Sequence, residues 1–423
     1  MRQVTVFPGT PSGTLRAISS KSDAHRNLIC AALAEGETDF DPFTPSEDIE
    51  ATIACLAALG ADIRRRPDGG CRVTPGNTPP RPVLDCGESG STLRFLLPVA
   101  AALGCDAAFT GHGRLPQRRI APLLEALGEH GCAASAEHLP LRLSGQLAPG
   151  VFSIVGNESS QYISGLLFAL PLLSADCRIE IIGTLSSRGY VDMTLRTLAR
   201  FGIRAEETET GFFIPGGQRY RSPGRAVLEG DWSNAAFHLV SGALGAPVTV
   251  TGLDPASEQR DREIIALLTR FGARVTVEDS RVTAAPGELT GQRIDMDQIP
   301  DLLPPLAVLA CAAKGETVLC NAARLRDKES DRLSAAAALL RNLGGEVREE
   351  PDALVIRGTG RLAGGCVDGV GDHRIVMAAA VAAAICREPV VIRGAEAAAK
   401  SYPGFFEDFR TLGGKTDVVE LRT

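Results

Sequence analysis

The chain has 423 residues, a length that predicts two to three globular domains. Hydrophobic residues make up 44% and charged residues 22%, which excludes a disordered or collagen-like chain. The net charge of −7 argues against general binding to nucleic acid. The longest apolar stretches, 302–313 and 375–386, are shorter than the roughly 18 residues that cross a membrane. The N-terminus has no basic and apolar signal region, so we expect a cytoplasmic protein with no membrane partner.

Cysteine and histidine do not follow a metal-binding pattern. The eleven cysteines include no C-x-x-C pair, and the six histidines are scattered. Without a secretory signal, these cysteines are typical of reduced thiols. We therefore predict no metal site and no cofactor.

Lysine is rare among the basic residues. Only five of the 44 are lysines, and three of these, Lys21, Lys328 and Lys400, lie in the motifs described below. These positions could require the compact ammonium group of lysine, whose three rotatable donors a guanidinium cannot imitate. The alternative is that the lysines were retained by chance.

A helical segment that ends in an apolar residue and a glycine, followed by a strand-like run, recurs six times. The first copy is LAALGADIR (56–64), the last is FRTLGGKTDVV (409–419), and successive glycines lie 68 to 74 residues apart. We predict that each glycine ends its helix in the left-handed conformation. In chain order they are Gly60, Gly128, Gly202, Gly272, Gly344 and Gly413.

A second series of segments runs in phase with the first. Polar or glycine-rich clusters open Ala- and Leu-rich helices near residues 20, 88, 158, 230, 299 and 371, and a β-rich stretch follows each helix. These helices are so apolar that they must be buried nearly all round. The six units could form one ring or two globules of three. The Gly-, Pro- and Arg-rich segment 214–229 at the midpoint favours two.

The polar starts of the apolar helices are candidate anion sites. A helix N-terminus offers unpaired N–H groups and a partial positive charge. For any single helix, a serine or aspartate there is equally well explained as an N-cap. Basic residues beside several starts add further donors, and their convergence would suit a small, highly charged substrate. The candidate caps are Ser22, Ser89, Ser159, Asp231 and Asp372.

Two further segments carry charged candidates. In RLPQRRI (114–120), Arg118 or Arg119 could contact a ligand, although solvent is the simpler interpretation. In RLRDKESDR (324–332), Lys328 and Arg332 are four apart and are predicted to share a helix face, with a solvated charge pattern as the alternative. Asp301 precedes an apolar helix and is either a general base or a helix cap.

Taken in order, these motifs resemble those of the EPSP synthase family, the 3-phosphoshikimate 1-carboxyvinyltransferases. The resemblance covers nearly the whole chain. Two positions depart from the usual pattern: Ser91 replaces a threonine, and Arg119 replaces a proline. The matching motifs are Lys21-Ser22 with Arg26, ESGSTLR (88–94), Arg118, Ser159-Ser160-Gln161, SSRGY (186–190), Pro-Asp at 300–301, KESDR (328–332), DHR (372–374) and Lys400.

The resemblance implies an α/β (α+β) fold of two domains, each built from three βαβαββ-type repeats of about 70 residues. One domain would comprise residues 1–15 and 228–423, the other residues 16–227, with the active site in the cleft between them. The family expectation for the oligomeric state is a monomer.

The implied reaction transfers the enolpyruvyl group of phosphoenolpyruvate to the 5-hydroxyl of shikimate 3-phosphate and releases inorganic phosphate. Asp301 would be the base and Glu329 the proton donor, with Lys328 and Lys21 also catalytic. Shikimate 3-phosphate would contact Lys21, Ser22, Arg26, Ser159, Ser160, Gln161, Ser187, Asp301 and Lys328. Phosphoenolpyruvate would contact Lys21, Gly90, Arg118, Gln161, Arg332, Arg374 and Lys400.

Two alternatives remain at this point. The related UDP-N-acetylglucosamine enolpyruvyl transferases share the fold, but their pattern has Lys-Asn at the first motif and a cysteine in the loop that here reads HGRLPQRR (112–119). A non-catalytic anion-binding descendant is the other alternative. The presence of Asp301, Glu329 and Lys328 argues against it.

Overall fold

Strands and helices alternate along the computed structural model, which describes residues 2–420. The strands are short, and the regular alternation of buried and exposed residues in several of them, as in β10, is typical of strands with one face on a core. In chain order they are β1 Arg2–Val6, β2 Gly13–Arg16, β3 Thr38–Phe40, β4 Asp62–Arg65, β5 Cys71–Thr74, β6 Val83–Asp85, β7 Ala107–Thr110, β8 Cys132–Ala134, β9 Leu141–Gly145, β10 Val151–Val155, β11 Cys177–Ile182, β12 Glu206–Glu207, β13 Gly211–Ile214, β14 Arg225–Ala226, β15 Val248–Thr251, β16 Arg274–Glu278, β17 Arg281–Ala285, β18 Arg293–Asp295, β19 Gly315–Cys320, β20 Glu346–Glu349, β21 Leu354–Gly358, β22 Gly365–Asp368, β23 Val390–Arg393 and β24 Thr416–Glu420.

The α-helices fall into two alternating kinds. Those that open a repeat, such as α3 and α9, are buried nearly all round, as their apolar sequences predict, while those that follow have one exposed face. In chain order they are α1 Lys21–Leu33, α2 Glu47–Ala58, α3 Gly90–Leu103, α4 Ala121–Gly128, α5 Ser160–Ala169, α6 Arg188–Arg200, α7 Trp232–Leu244, α8 Ile264–Phe271, α9 Leu303–Ala312, α10 Arg332–Asn342, α11 His373–Ala382 and α12 Phe405–Thr411.

Six four-stranded sheets in the described residues share one strand order. In each sheet the first two strands are parallel and the remaining neighbours are antiparallel. This common order confirms the predicted repeats of βαβαββ type. Written from the parallel edge, the sheets are β14-β3-β5-β4, β6-β7-β9-β8, β10-β11-β13-β12, β2-β15-β17-β16, β18-β19-β21-β20 and β22-β23-β1-β24.

The described residues group into two compact units with three sheets each. The continuous unit is Ser19–Leu228, and the split unit combines residues 2–18 with residues 229–420. Each unit has its own buried hydrophobic cluster, drawn only from its own residues. The repeats therefore bury their apolar helices within each unit.

Two strands belong to a sheet of one unit but are followed in sequence by the first helix of the other unit, and we call them the exchanged strands. Strand β2 precedes α1 in sequence, yet it pairs with β15 of the split unit. Strand β14 precedes α7, yet it pairs with β3 of the continuous unit. In each case the exchanged strand is the parallel edge strand of its sheet, so both incomplete repeats gain the same missing element.

The predicted glycine caps are confirmed at five of six positions. Gly60, Gly202, Gly272, Gly344 and Gly413 have φ between 76° and 108°, in the left-handed region. The prediction was wrong for the second copy, because helical backbone continues from α4 through residue 129, and Gly131, with φ 93°, makes the left-handed turn instead.

Candidate active site

The first two turns of α1 place Lys21 and Arg26 in the continuous unit. Lys21 Nζ donates to Asp48 Oδ2 at 2.8 Å. The Arg26 side chain is only 2% exposed and donates to Thr194 Oγ1 at 2.9 Å and to the carbonyls of Ser22 and Tyr190 at 2.7 and 2.8 Å. Burial lowers the pKa of Arg26 to about 10, so the guanidinium keeps its charge at neutral pH.

The start of α3 brings three of the predicted residues together. A Cβ atom on Gly90 would lie 2.5 Å from Arg118 Nη1, so any side chain at this position would force the guanidinium to shift. Gln161 Oε1 accepts a hydrogen bond from Arg94 Nη1 at 2.8 Å, and Gln161 Nε2 donates to Ser91 Oγ at 2.8 Å. These contacts join the N-termini of α3 and α5.

The three predicted serines of this unit lie at the starts of α5 and α6. Ser159 is the N-cap of α5 and accepts from the Gln161 backbone N–H, while Ser160 is the first residue of that helix and is buried. Ser187 immediately precedes α6, is buried, and has φ 53°, which is uncommon for a residue with a side chain. Backbone strain of this kind is often associated with function.

In the split unit, the Arg332 side chain joins three carboxylates. It is 1% exposed and donates to Asp301 Oδ1 at 2.8 Å, Glu329 Oε2 at 2.6 Å and Asp372 Oδ2 at 3.1 Å. Arg374 Nη2 donates to the other oxygen of Asp301 at 2.7 Å. We call these five side chains the carboxylate–guanidinium cluster.

Opposing effects set the protonation of the groups around this cluster. Burial alone would raise the pKa of Asp301, but the charges of Arg374 and Arg332 outweigh it and hold the pKa well below the ordinary value, so Asp301 is ionised. Burial lowers the pKa of Lys328 to about 7; Asp301 opposes this shift, and the charge of Arg324 adds to it. Lys328 can therefore gain or lose a proton near neutral pH.

Lys400 lies at the start of α11. It ends the 3-10 helix Ala395–Lys400, is buried, and its Nζ donates to the carbonyl of Gly371 at 2.6 Å. Gly371 precedes Asp372, the N-cap of α11. The lysine is thus held next to the segment that carries Arg374.

Several local predictions from the sequence need correction. The N-cap of α1 is Ser20, so Ser22 is the second residue of the helix; the caps Ser89, Ser159, Asp231 and Asp372 are confirmed. Lys328 and Arg332 do not share a helix face, because α10 begins only at Arg332 and Lys328 has extended backbone. The helix-cap interpretation of Asp301 is wrong, because its oxygens bind Arg332 and Arg374.

The structure also decides between the neighbouring arginines of the 114–120 segment. Arg118 is 7% exposed and lies against Gly90, whereas the Arg119 side chain is 59% exposed and pairs with Glu158 at 3.3 Å. The solvent interpretation is therefore wrong for Arg118.

Four neighbours of these residues are absent from the substrate contacts and catalytic residues that the resemblance implies. They are Asp48, which binds Lys21; Arg94, which binds Gln161; Asp372, which binds Arg332; and Asp261. Burial, with the negative charge of Asp301, raises the pKa of Asp261 to about 7, and Ser233 donates a hydrogen bond to its carboxylate. Arg94 and Asp372 lie within the motifs named in the sequence analysis, so the sequence did contain a signal for these two residues. Asp48 and Asp261 stand outside them.

The described residues show neither a metal-binding cluster nor a membrane-spanning helix. Between residues 2 and 420, no group of three or more His, Cys, Asp or Glu side chains is arranged to hold a metal ion. In the same part of the chain, no helix combines the length and the apolar character needed to cross a membrane.

Comparison with known proteins gives one family. The model of the family described as EPSP synthase (3-phosphoshikimate 1-carboxyvinyltransferase) matches residues 8–409. A 3-phosphoshikimate 1-carboxyvinyltransferase of Clostridium kluyveri is 43% identical, with 99% of each chain covered. The protein of that name from Clostridium perfringens is 41% identical, with 98% of this chain and 99% of the relative covered.

Solved structures agree in fold. EPSP synthase from Acinetobacter baumannii has a TM-score of 0.84 and 26% identity, covering 99% of this chain and 100% of the other. The enolpyruvyl transferase NikO from Streptomyces tendae has a TM-score of 0.78 and 19% identity, covering 99% of this chain and 98% of the other, a likeness of fold alone.

Proposed function

The chain belongs to the EPSP synthase family, and we propose that it transfers the enolpyruvyl group of phosphoenolpyruvate to the 5-hydroxyl of shikimate 3-phosphate, releasing inorganic phosphate. The observation that carries the proposal is the carboxylate–guanidinium cluster, in which Asp301 and Glu329 lie on the same buried guanidinium of Arg332. The reaction needs one group that accepts a proton and another that delivers one, and the cluster holds two carboxylates for these tasks.

Shikimate 3-phosphate would bind mainly to the continuous unit. Three of the five N–H donors of Arg26 are engaged with protein acceptors, which leaves capacity for a phosphate oxygen. The serine hydroxyls and helix N-termini supply further donors to an anion. The proposed contacts are Lys21, Ser22, Arg26, Ser159, Ser160, Gln161 and Ser187, with Asp301 and Lys328 near the sugar-ring hydroxyls.

Phosphoenolpyruvate would bind to cations of both units. Gly90 leaves space for Arg118, and Arg118 can then offer a planar pair of donors to a phosphate or carboxylate. Arg374 already binds one carboxylate and is buried, so an anion beside it would meet a charge that water screens poorly. The proposed contacts are Lys21, Gly90, Arg118, Gln161, Arg332, Arg374 and Lys400.

The proposed steps conserve atoms and charge. Glu329 gives its proton to C3 of phosphoenolpyruvate, which makes C2 electrophilic, and Asp301 takes the proton of the attacking 5-hydroxyl. The new C–O bond produces a tetrahedral intermediate. Glu329 then takes back a proton from the new methyl group while the bond between C2 and the phosphate oxygen breaks, which yields the enol ether. The proton held by Asp301 leaves with the inorganic phosphate, so both carboxyl groups return to their starting states. Lys328 and Lys21 would stabilise the negative charge that moves between these groups.

An anionic substrate beside Arg374 would also change the basicity of Asp301. In the structure, the Arg374 and Arg332 charges hold the pKa of Asp301 down, which makes the carboxylate a weak base. A bound carboxylate or phosphate would take part of that positive charge and raise the pKa of Asp301. We infer that substrate binding itself prepares the base.

The decisive experiment measures phosphate release from phosphoenolpyruvate with either shikimate 3-phosphate or UDP-N-acetylglucosamine as acceptor. We expect release only with shikimate 3-phosphate. Release with the nucleotide sugar would assign the other transferase activity, and a folded protein silent with both acceptors would be an anion-binding descendant.

A pair of variants then tests the carboxylate roles. Glu329→Gln should lower kcat by about 10²- to 10⁴-fold, because the amide cannot deliver the proton. The exposed Glu346, on β20 and outside the cluster, provides the control Glu346→Gln, which should retain normal turnover. Near-normal turnover in Glu329→Gln would contradict the assignment. We further propose a monomeric, cytoplasmic enzyme, for which light scattering of the purified protein tests the first part.

A further inference from the structure

A buried chain of hydrogen bonds crosses the continuous unit from α1 to the start of α3. His25 Nδ1 lies 2.7 Å from Thr52 Oγ1, which lies 2.6 Å from Thr92 Oγ1, and Thr92 Oγ1 donates to Ser89 Oγ at 2.7 Å. All four side chains are at most 1% exposed. Their hydroxyl and imidazole groups touch one another rather than any acid or base used in the proposed reaction.

The direction of the bonds follows from proton counting. Each hydroxyl has one proton to donate. Thr92 gives its proton to Ser89, so Thr92 can only accept from Thr52. Thr52 therefore donates its hydroxyl proton to Thr92, and it can only accept a hydrogen bond from His25. The chain therefore requires a proton on Nδ1 of His25, and in the neutral ring Nε2 then carries the lone pair.

The electrostatic surroundings of His25 agree with a neutral ring. Burial, reinforced by the charges of Lys21 and Arg26, holds the pKa of His25 well below its ordinary value. A neutral ring adds no third positive charge beside these two cations. Both are predicted to bind substrate.

The two ends of the chain lie next to proposed substrate contacts. His25 precedes Arg26 and is one helical turn after Lys21, while Ser89 is the N-cap immediately before Gly90. The middle of the chain is on α2, where Asp48, one turn before Thr52, binds Lys21 Nζ at 2.8 Å. Helix α2 thus holds α1 through two polar contacts and α3 through one.

We propose that the hydrogen-bond chain His25–Thr52–Thr92–Ser89 fixes the position of Lys21, on α1, relative to Gly90, at the start of α3. Thr52 is the central positioning residue of this chain. This inference rests on the proposed function of Lys21 and Gly90 in binding phosphoenolpyruvate. Thr52 itself touches no substrate in the proposal; it acts through the two helices that it joins.

The test uses the full-length protein with Thr52→Val, which keeps the shape of the side chain and removes the hydroxyl. We expect the KM for phosphoenolpyruvate to rise about tenfold, the effect of one lost hydrogen bond, with kcat within about twofold of normal. The KM for shikimate 3-phosphate should rise less, because Ser159 and Ser160 on α5 lie outside the chain. Thr52→Ser, which restores the hydroxyl, should recover the normal KM.

Nitrogen-15 NMR of histidine-labelled protein gives a readout that does not depend on turnover. In the normal protein, His25 should show a protonated Nδ1 and an unprotonated Nε2, with the signal assigned by its loss in His25→Asn. In Thr52→Val, the Nδ1 proton loses its acceptor, and we expect the His25 ring signals to shift. Thr52→Ser should return them.

Thr197→Val is the matched control, because Thr197 is equally a buried helical threonine of this unit, and within residues 2–420 its hydroxyl donates only to the carbonyl of Met193. It should change neither the KM values nor the His25 signals. If Thr52→Val is poorly folded, as judged by its thermal unfolding, Thr92→Val breaks the next link, between α2 and α3. The KM for phosphoenolpyruvate should rise in the same way, although His25 keeps Thr52 as its hydrogen-bond partner, and an unchanged KM would overturn the proposal.

The outcomes are distinguishable. Unchanged His25 signals in Thr52→Val would refute the chain as drawn. Shifted signals with KM values like those of Thr197→Val would reduce the chain to a structural role and overturn the proposal. A normal protein that turns over neither acceptor would refute the proposed function, and the positioning role with it, even if the NMR result confirms the bonds.

Discussion

A single guanidinium organises the acidic residues of the split unit. Arg332 begins α10, Asp301 precedes α9, and Asp372 caps α11, so three helix starts meet on one side chain. Replacing Arg332 would leave the three carboxylates of the cluster with Arg374 as its remaining cation, which is strongly destabilising for buried charges. The same arrangement keeps Asp301 and Glu329 at hydrogen-bond distance from a common centre, as a pair of proton-transfer groups requires.

Lys328 offers a pH-dependent test at the scale of one residue. Its pKa is about 7 because burial disfavours the charged form, and the charge of Arg324 adds to the shift. An anionic substrate binds the protonated lysine, so kcat/KM should fall as pH rises through this value. In Arg324→Gln the like charge is removed, the pKa of Lys328 rises, and the fall in kcat/KM should move to higher pH.

The measurement is kcat/KM for phosphoenolpyruvate between pH 5.5 and 8.5, about 1.5 units on either side of neutral pH, a range that leaves Arg26, with its pKa of about 10, charged. Arg348→Gln is a suitable control, because Arg348 is exposed on β20 and pairs only with Glu350 among the described residues. A profile in Arg324→Gln that coincides with that of the control would show that Arg324 does not act on Lys328.

At the scale of secondary-structure elements, replacing glycine by alanine should have opposite effects on stability at two helix ends of the continuous unit. Gly60 has φ 108°, and an added Cβ would overlap the Asn77 carbonyl oxygen, so Gly60→Ala should destabilise the continuous unit by about 2 kcal/mol or more. Gly128 is the last residue of α4 and has open space around it. Gly128→Ala should therefore stabilise the same unit by about 0.4–1 kcal/mol.

Urea unfolding of both variants gives the comparison, and because both glycines lie in the continuous unit, one transition reports both changes. Equal effects of the two substitutions would mean that backbone conformation does not distinguish these two helix ends. Gly413→Ala provides an intermediate case in the other unit, with φ 88° and no atom within 4 Å of the added Cβ.

Periodic features of the sequence predicted the elements well, while contacts between distant residues were out of reach. Six repeats, buried first helices and four of five named N-caps follow from local pattern, because each depends on residues within about one turn. The exchange of β2 and β14 depends on pairing partners more than 180 residues away, which no local pattern encodes.

The candidate site divides in the same way. Motifs identified Asp301, Arg332 and Arg374 individually, but the side-chain hydrogen bonds that join them connect residues 31 and 73 positions apart. The sequence likewise suggested a shared helix face for Lys328 and Arg332, since four-residue spacing is informative only where a helix actually runs, and here the helix starts later.

At the scale of the whole molecule, chain connectivity predicts which parts fold alone. The continuous unit contains all the strands of its three sheets and its own core, so residues 19–228 should fold as a fragment. The split unit depends on the first residues of the chain. Strand β1 lies between β23 and β24 in one sheet, and β2 is the parallel edge strand of another.

A fragment of residues 229–423 should therefore fail to fold cooperatively, because β23 and β24 lose the strand that both of them pair with. The register suggests a repair: Arg2 pairs with Glu420 in antiparallel strands, so a short Gly-Ser linker can join residue 423 to residue 1. The permuted fragment, 229–423 followed by the linker and 1–18, should show a cooperative urea transition. If 229–423 alone unfolded with the same midpoint and slope, the terminal strands would be dispensable and the role assigned to β1 would be wrong.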